Sequence, residues 1–346
     1  MTGIKDVAQA AGVSVSTVSY VLSGKRTISS QTISKVMDVI DELGYVPNAN
    51  AQRMRGGRSQ IISISEPIRK DMNQIEFSSY FLQTVKHVKS AGYDALLLSG
   101  EHEAVDDIRR VGNNNLADGV ILLDIETDDI RARRADSYGK PCVAIGYPQE
   151  RRYCACIDID FVHMGHMAAQ RLFDLGHRVV AALRDLEMHY VRQSGYVILF
   201  RDAFLQRVEE LGMTVMESGP VEYDTFDPQQ YVEDLLGEKQ RPTALVSQAD
   251  AAILNTVLDA LALANVSIPD DISVLSCGTY FEAELMKAPI SEMPLEPEGL
   301  CTKVTDILID AIENGTDIRG VLELIEPKYV DRGSVSKPRS DFLRQS

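Results

Sequence analysis

Hydrophobic residues near the start of the chain repeat with the spacing of short helices. Four of them share one face of a first helix: Ile4, Val7, Ala8 and Ala11. Gly12 then acts as a terminator, and Ser14 can cap a second helix over 15–23. A third helix is predicted from the cap Ser29 to Gly44, with four residues turned inward: Ile33, Val36, Ile40 and Leu43. This pattern predicts a helix-turn-helix unit, although periodicity alone fits any small three-helix bundle equally well.

Beyond residue 59, short apolar runs alternate with amphipathic segments. The apolar runs lie at 61–65, 94–99, 119–124, 142–146, 179–183, 244–248 and 272–276. Helical patterns lie between them at 79–91, 162–175, 196–211, 251–264 and 300–313. Strands alternating with helices predict parallel sheets covered on both faces. The length of this region exceeds that of one small doubly wound sheet, so we expect two lobes.

The composition is that of a globular protein. Of the 346 residues, 45% are hydrophobic and 25% are charged, which excludes a disordered or collagen-like chain. No apolar run approaches the roughly 18 residues of a membrane span, and the start of the chain lacks the apolar stretch of a signal peptide. The five cysteines lack CxxC spacing, so we expect reduced thiols in a cytoplasmic protein with no membrane partner.

The net charge of −16 argues at first against a nucleic-acid partner. Its distribution changes that view. The first 60 residues hold seven basic and four acidic residues, a balance of +3, which leaves −19 for the remainder. A small basic head therefore precedes a large acidic body, and we expect only the head to engage DNA.

The exposed side of the second predicted helix suits a DNA groove. Its residues are small or hydrogen-bonding and include no acid: Val15, Ser16, Thr17, Ser19 and Tyr20. A helix in the major groove needs short side chains for close approach and hydroxyls for phosphates and base edges. The alternative is that these hydroxyls are helix caps and solvated surface.

The stretch 4–59 closely resembles, without a gap, the DNA-binding head of the lactose-repressor (LacI/GalR) family. The motifs that carry the resemblance are DVAQAAGVSVSTVSYVL and ELGYVPNANA. It implies that Val15, Ser16 and Tyr20 read bases. It also implies that Ser14, Thr17 and Ser19 orient the helix on the phosphates.

Residues 45–59 resemble the hinge of that family, in which a helix over about 48–55 forms only on operator DNA. The resemblance implies that Met54 stands where the family wedges a leucine into the minor groove, and that Ala51 lets paired hinge helices approach closely. Further DNA contacts are implied at Asn48, Arg53, Arg55 and Arg58. The alternative is a basic linker without a fixed fold.

The body resembles the family's core, a pair of Rossmann-like lobes of the periplasmic-binding-protein type. The resemblance is carried by AGYDALLLS, LADGVILL, GHMAAQRLFDLGHR, IPDDISVLS and EPKYVDRGS. It implies an effector-binding and dimerisation core over 60–336 after a head over 1–59, and a tail over 337–346. The first lobe is expected at about 61–159 and 292–321, and the second at about 160–291 and 322–336.

The interlobe cleft departs from that of sugar-binding relatives. Tyr196 stands where those members place an arginine, Gln248 stands in the place that begins their AND triplet, and Thr279 has replaced a carboxylate. The resemblance places seven residues in the cleft: Phe77, Tyr147, Asp160, Tyr196, Gln248, Asp250 and Thr279. The alternative is that they are structural, with Asp250 a helix cap. Either the effector is less polar than a sugar, such as a nucleoside or an aromatic metabolite, or the cleft binds nothing strongly.

The sequence lacks the short motifs that mark several enzyme classes. It contains no GxGxxG, GxSxG, HExxH or P-loop pattern. Four residues alternate along one predicted strand and are too far apart to close a tetrahedron around a metal: Cys154, Cys156, Asp158 and Asp160. His163 and His166 are one helical turn apart but lack a third ligand. We therefore expect no enzyme activity, no cofactor and no metal, and we expect the acid-rich stretches 101–107 and 124–129 to be solvated surface.

These observations predict a sequence-specific transcriptional regulator, expected to be a repressor. Its partners would be double-stranded operator DNA, a second copy of the chain and a small effector, whether a sugar, a nucleoside or another metabolite. A homodimer on a palindromic site is expected, since the tail lacks the leucine heptads of a tetramerising helix. The alternative is a cytoplasmic small-molecule-binding protein or enzyme that does not act on DNA.

Overall fold

A computed structural model describes residues 3–23, 26–45, 58–69, 74–279 and 286–339. Contacts divide the chain into two compact units, Met1–Ser59 and Gln60–Ser346. Each unit has its own hydrophobic core.

The described residues of the first unit form three short helices, as the sequence predicts for this part of the chain. They are α1 (Ile4–Ala10), α2 (Val15–Ser23) and α3 (Ser30–Leu43). Ser29 caps α3 by accepting the Thr32 N–H at 3.3 Å, and Gly44 ends it with φ at 57°, a left-handed conformation that glycine adopts without strain. The core consists of Val7, Ala8, Ala11, Val18, Val36 and Ile40.

The prediction that Ile33 and Leu43 point inward is wrong. Their side chains are 41% and 36% exposed. The head is so small that α1 and α2 cover only the central part of the α3 stripe, at Val36 and Ile40, and the ends of that stripe remain open.

The second unit contains two parallel sheets. The first has the strand order β11-β5-β4-β3-β1-β2 and the second β10-β9-β8-β6-β7. The strands are β1 (Ile61–Ser65), β2 (Asp94–Leu98), β3 (Gly119–Leu122), β4 (Cys142–Ile145), β5 (Ala155–Ile159), β6 (Val179–Leu183), β7 (Thr214–Glu217), β8 (Ala244–Ser247), β9 (Ser273–Thr279), β10 (Ser291–Pro294) and β11 (Leu322–Ile325). The central strands β3, β4 and β8 are buried throughout, as parallel strands covered on both faces must be.

Helices cover the faces of both sheets. They are α4 (Gln74–Ser90), α5 (Ala104–Asn113), α6 (Ile130–Arg133), α7 (Phe161–Leu175), α8 (Glu187–Val191), α9 (Gly195–Glu210), α10 (Pro228–Gly237), α11 (Ala251–Leu263) and α12 (Pro297–Asn314). Each sheet has two hydrophobic clusters, as expected for two α/β lobes. The expected fold class, a helix-turn-helix head with a two-lobed α/β core, is confirmed.

The lobe boundaries near the end of the chain differ from the expected ones. β10 pairs with β9 and so belongs to the second lobe, whereas β11 pairs with β5 and belongs to the first. Both are edge strands of four residues: β10 contains Glu292 and Pro294, and β11 is only partly buried. Neither has the continuous apolar run by which the sequence reveals central strands.

Helices α7 and α9 cross at a glycine, and this crossing positions one wall of the interlobe cleft. A Cβ on Gly165 of α7 would lie 2.6 Å from the Phe200 carbonyl oxygen and 2.8 Å from the Phe204 nitrogen, both on α9. Phe161 begins α7 and Tyr196 lies in the first turn of α9. The close approach therefore fixes the separation of these two aromatic residues.

We predict that Gly165→Ala destabilises the second unit by about 1–3 kcal/mol, because the backbone of α9 must move away from the new methyl group. Urea unfolding measures this change. Gly237→Ala, in the last turn of α10, is the matched control, since its Cβ would meet nothing within 4 Å. Equal unfolding midpoints for the two variants would contradict the crossing described here.

Candidate functional site

The outer side of α2 is free of acidic residues. Ser14 and Ser16 are exposed, while Val15, Thr17, Ser19 and Tyr20 are half-buried. The Ser14 hydroxyl accepts the Thr17 N–H at 3.0 Å, and the two hydroxyl oxygens are 2.8 Å apart. The Ser14 hydroxyl therefore caps α2 and is held by the Thr17 hydroxyl, whatever else the two contact.

The Tyr20 ring has a cationic neighbour. The Arg26 guanidinium carbon lies 5.2 Å from the ring centroid, within the range of a cation–π interaction. Arg58 is also described and is exposed. The other predicted hinge contacts lie outside the described residues: Asn48, Ala51, Arg53, Met54 and Arg55.

An open cavity of about 90 Å³ lies between the two lobes of the second unit. One side is formed by the carboxyl ends of β4 and β5 and the segment after β3, and the other by α8 and the start of α9. Ligands of open α/β sheets bind at this edge, beyond the carboxyl ends of the strands. Four aromatic residues line the cavity: Phe77, Tyr80, Phe161 and Tyr196.

Of the seven residues predicted in the cleft, Phe77 and Tyr196 line this cavity. Asp160 caps α7, accepting the His163 N–H at 2.8 Å. Asp250 caps α11, accepting the Ile253 N–H at 3.0 Å, and it also accepts a hydrogen bond from the Tyr223 hydroxyl. Both aspartates therefore act as helix caps, the structural role that the sequence analysis gave as the alternative to ligand binding.

Gln248 and Tyr147 are not among the described residues that line the cavity either. Gln248 accepts a hydrogen bond from the Tyr190 hydroxyl at 3.3 Å and donates one to the Val197 carbonyl at 3.4 Å. Tyr147 is half-buried, and burial together with the Asp158 and Asp160 charges raises the pKa of its hydroxyl to about 12. Thr279 ends β9, and its side chain lies outside the described residues.

Tyr196 is held by a buried hydrogen-bonded group that the sequence did not reveal. Its hydroxyl oxygen lies 3.0 Å from His189 Nδ1 and donates to Asp185 Oδ2 at 3.3 Å. His189 Nδ1 in turn lies 3.0 Å from Asp185 Oδ2. The phenol that stands in the arginine position of sugar-binding relatives is thus part of an internal network.

An ion cluster lines the opposite side of the cavity. Arg69, whose side chain is 10% exposed, pairs with Glu101 at 3.2 Å, with Glu126 at 3.0 Å and with Asp124. Burial raises the pKa of Glu126, the Arg69 charge opposes that shift, and the Asp129 and Asp124 charges add to it. Three carboxylates therefore surround the single guanidinium group of Arg69 on this side of the cavity.

The expectation that 124–129 is solvated surface is wrong. Asp129 and Arg131 are both 4% exposed, and Asp129 Oδ2 accepts from Arg131 Nη2 at 2.7 Å. Burial alone would raise the pKa of Asp129, but the Arg131 charge and its hydrogen bonds hold it below its ordinary value. Arg131 also donates to the Asp124 carbonyl at 2.7 Å, so this buried pair shapes the segment after β3.

That segment forms a backbone ladder between the lobes. The Thr127 N–H donates to the Gln193 carbonyl at 2.8 Å, and the Gly195 N–H donates to the Ile125 carbonyl at 3.0 Å. Glu126 and Ser194 face each other as an antiparallel bridge. Because Ile125 and Gly195 also line the cavity, the ladder and the cavity share a wall.

Asp158, at the end of β5, lines the cavity and is 5% exposed. Its Oδ1 accepts a hydrogen bond from the Ile159 N–H at 2.8 Å. Burial raises the pKa of this carboxyl to about 8, and the Asp160 charge acts in the same direction. Asp158 was predicted only as a member of an alternating strand, not as a cleft residue.

The part of the chain that the structure describes offers neither a metal site nor a membrane-spanning helix. Its histidine, cysteine, aspartate and glutamate side chains form no cluster of three or more that could hold a metal ion. None of its helices is long and apolar enough to cross a membrane.

Comparisons with known proteins were made for both units. The family model described as "Bacterial regulatory proteins, lacI family" matches residues 3–48, and the model "Periplasmic binding protein-like domain" matches residues 157–335. The HTH-type transcriptional repressor PurR of Edwardsiella ictaluri (strain 93-146) is 26% identical over 99% of this chain and 100% of its own length. The regulator CelR of Thermobifida fusca is 28% identical over 92% of this chain and 94% of its own.

Solved structures share the fold. A lac repressor dimer bound to operator and the anti-inducer ONPF superposes with a TM-score of 0.79 at 19% identity, covering 97% of this chain and 99% of that one. A CelR–cellobiose complex gives a TM-score of 0.64 at 22% identity, covering 97% of this chain and 100% of that one.

We predict that Asp158→Asn changes the dependence of stability on pH. The ordinary pKa of an aspartate is near 4 and applies to the unfolded chain, whereas the folded value is about 8. The folded protein therefore loses stability through this group as pH rises between those values, and asparagine removes that loss. The variant should gain more than about 2 kcal/mol relative to wild type between pH 5 and pH 8.

Urea unfolding at several pH values measures this gain. Asp160→Asn is the comparison variant, two residues along: asparagine caps a helix as well as aspartate does, and because burial is the larger cause of the raised Asp158 pKa, this variant should keep most of the wild-type pH dependence. A difference between wild type and Asp158→Asn that stays constant with pH would show that Asp158 is solvated.

Proposed function

Since the chain belongs to the lacI family of bacterial regulatory proteins, we propose that it is a sequence-specific transcriptional repressor that binds a palindromic operator as a homodimer. A small molecule in the interlobe cleft tunes its affinity for DNA. On this proposal the protein is not an enzyme, and it acts in the cytoplasm, where the chromosome lies.

The observation that carries the proposal is the surface of α2 on a basic head. α2 has no acidic residue, its outer side presents hydroxyls and Tyr20, and the first 60 residues have a charge of +3 on a chain whose total is −16. Phosphates attract such a head and repel the body, while short polar side chains allow close approach to base edges. A palindromic site follows from two copies of one head in successive major grooves.

Control by a ligand is supported by the cavity and the ladder beside it. A ligand that contacts both lobes stabilises one arrangement of them over another by the difference in its affinity for the two. Residues 125–127 and 193–195 belong to different lobes and share hydrogen bonds, so occupation of the cavity acts directly on that contact. The relative CelR was solved with cellobiose, which supports a small organic effector as a class.

The test of the proposed function is selection of bound fragments from a genomic library by the full-length chain. We expect a small set of fragments that share an inverted repeat, because a dimer presents two identical heads related by twofold symmetry. If no fragment is retarded at low salt, the repressor proposal fails. The small-molecule-binding protein that does not act on DNA is then the better account.

A narrower prediction concerns Tyr20. Tyr20→Ala should weaken binding to the selected site by about 1–3 kcal/mol and leave binding to unrelated DNA almost unchanged, since a lost base contact removes specificity. Fluorescence anisotropy with the two duplexes measures both affinities. Met37→Ala, an exposed uncharged position on α3, is the control. Equal losses on both duplexes would assign Tyr20 to phosphate contact or packing.

A further inference from the structure

The Asp158 carboxyl is a buried acid without a counter-ion among the described residues. It is 5% exposed and lines the cavity, and its one hydrogen bond to the described part of the chain is the local bond from the Ile159 N–H. The charges that shift its pKa include Asp160 and no cation. A carboxylate removed from water is costly unless it is paired. The group is therefore prepared for a partner that the described residues do not supply.

The charge around the cavity is negative. Its lining contains the carboxylates of Glu66 and Asp124 and the guanidinium groups of Arg69 and Arg192, besides the Asp158 carboxyl, whose pKa of about 8 leaves it mostly protonated at pH 7 while the cavity is empty. Arg69 is already met by three carboxylates, two of which, Glu101 and Glu126, lie outside the lining. This cluster therefore adds more negative than positive charge to the site, and an anionic ligand would be repelled.

The other surface of the cavity is aromatic. The rings of Phe161 and Tyr196 lie with centroids 6.0 Å apart at an angle of 49°, and Phe77 and Tyr80 line the same space. Aromatic faces attract organic cations and also cover the apolar part of a ligand. The acid and the aromatic residues therefore favour the same kind of ligand, an organic cation with an apolar part.

We infer that the effector is an organic base, with a protonated amine or amidine nitrogen on an apolar or aromatic skeleton, and that Asp158 is its counter-ion. This inference rests on the proposed function, which makes this cavity the effector site. A protonated nitrogen stabilises the ionised form of the carboxyl, which then releases its proton to water at pH 7, and it supplies N–H donors to the carboxylate. A sugar offers neither the charge nor enough apolar surface for the aromatic wall.

The test compares three probes of nearly equal size by isothermal titration calorimetry with the full-length chain. They are 2-phenylethylamine, 2-phenylethanol and phenylacetate, which are cationic, neutral and anionic at pH 7. We expect the amine to bind at least about 10-fold more tightly than the other two, as a desolvated charge pair requires. Asp158→Asn should remove that preference, and Asp160→Asn should retain it.

Each other outcome overturns the inference. Equal affinities for the three probes, tightest binding of phenylacetate, or no binding of any probe at millimolar concentration would exclude a site for organic bases. An amine preference that persists in Asp158→Asn would exclude Asp158 as the counter-ion. The comparison of the three probes in the wild-type protein remains informative even if a variant fails to fold.

The same protein preparation is also titrated onto the DNA selected from the genomic library. Intact DNA binding without an amine preference refutes the ligand class and leaves the proposed function standing. An amine preference in a chain that binds no DNA refutes the repressor proposal and leaves the ligand class standing.

Discussion

Charge buried at the carboxyl edge of the first sheet is the constraint on which the cleft depends. A buried arginine is costly unless carboxylates pair with it. The segment after β3 supplies these carboxylates: Asp124 and Glu126 pair with Arg69, and Asp129 pairs with Arg131. These pairs fix the backbone of that segment, which then forms the ladder with 193–195 in the other lobe. The contact between lobes and the wall of the cavity are consequences of one cluster.

Asp158 belongs to the same edge but stands outside that cluster. Its burial without a cation lowers the stability of the folded protein at neutral pH, which is the usual cost of a site built for a charged partner. A ligand that pairs with Asp158 and also contacts the second lobe favours whichever arrangement of the lobes allows both contacts. Its binding energy is then available to change the equilibrium between states that differ in their affinity for DNA.

The sequence predicted the regular parts of the fold because their information is local. Central strands such as β3 are continuous apolar runs, and α3 carries its own cap at Ser29 and terminator at Gly44. The edge strand β11 was missed because half-burial leaves no such run. Asp124 and Glu126 were assigned to solvent because their partner Arg69 is about 55 residues away, and a single sequence does not show which charges meet. The family resemblance placed Phe77 and Tyr196 in the cleft. It did not place Arg69, His189 and Asp158 there, because no local pattern shows that these residues meet in the fold.

The measurement that tests the central claim most directly is the affinity of the full-length chain for its selected operator, with the cleft empty and with it saturated by 2-phenylethylamine. If occupation of the cleft controls the head, anisotropy of a labelled operator duplex will show a change in affinity of several-fold or more in wild type and none in Asp158→Asn. An operator affinity that is the same with the cleft empty and saturated would contradict the account.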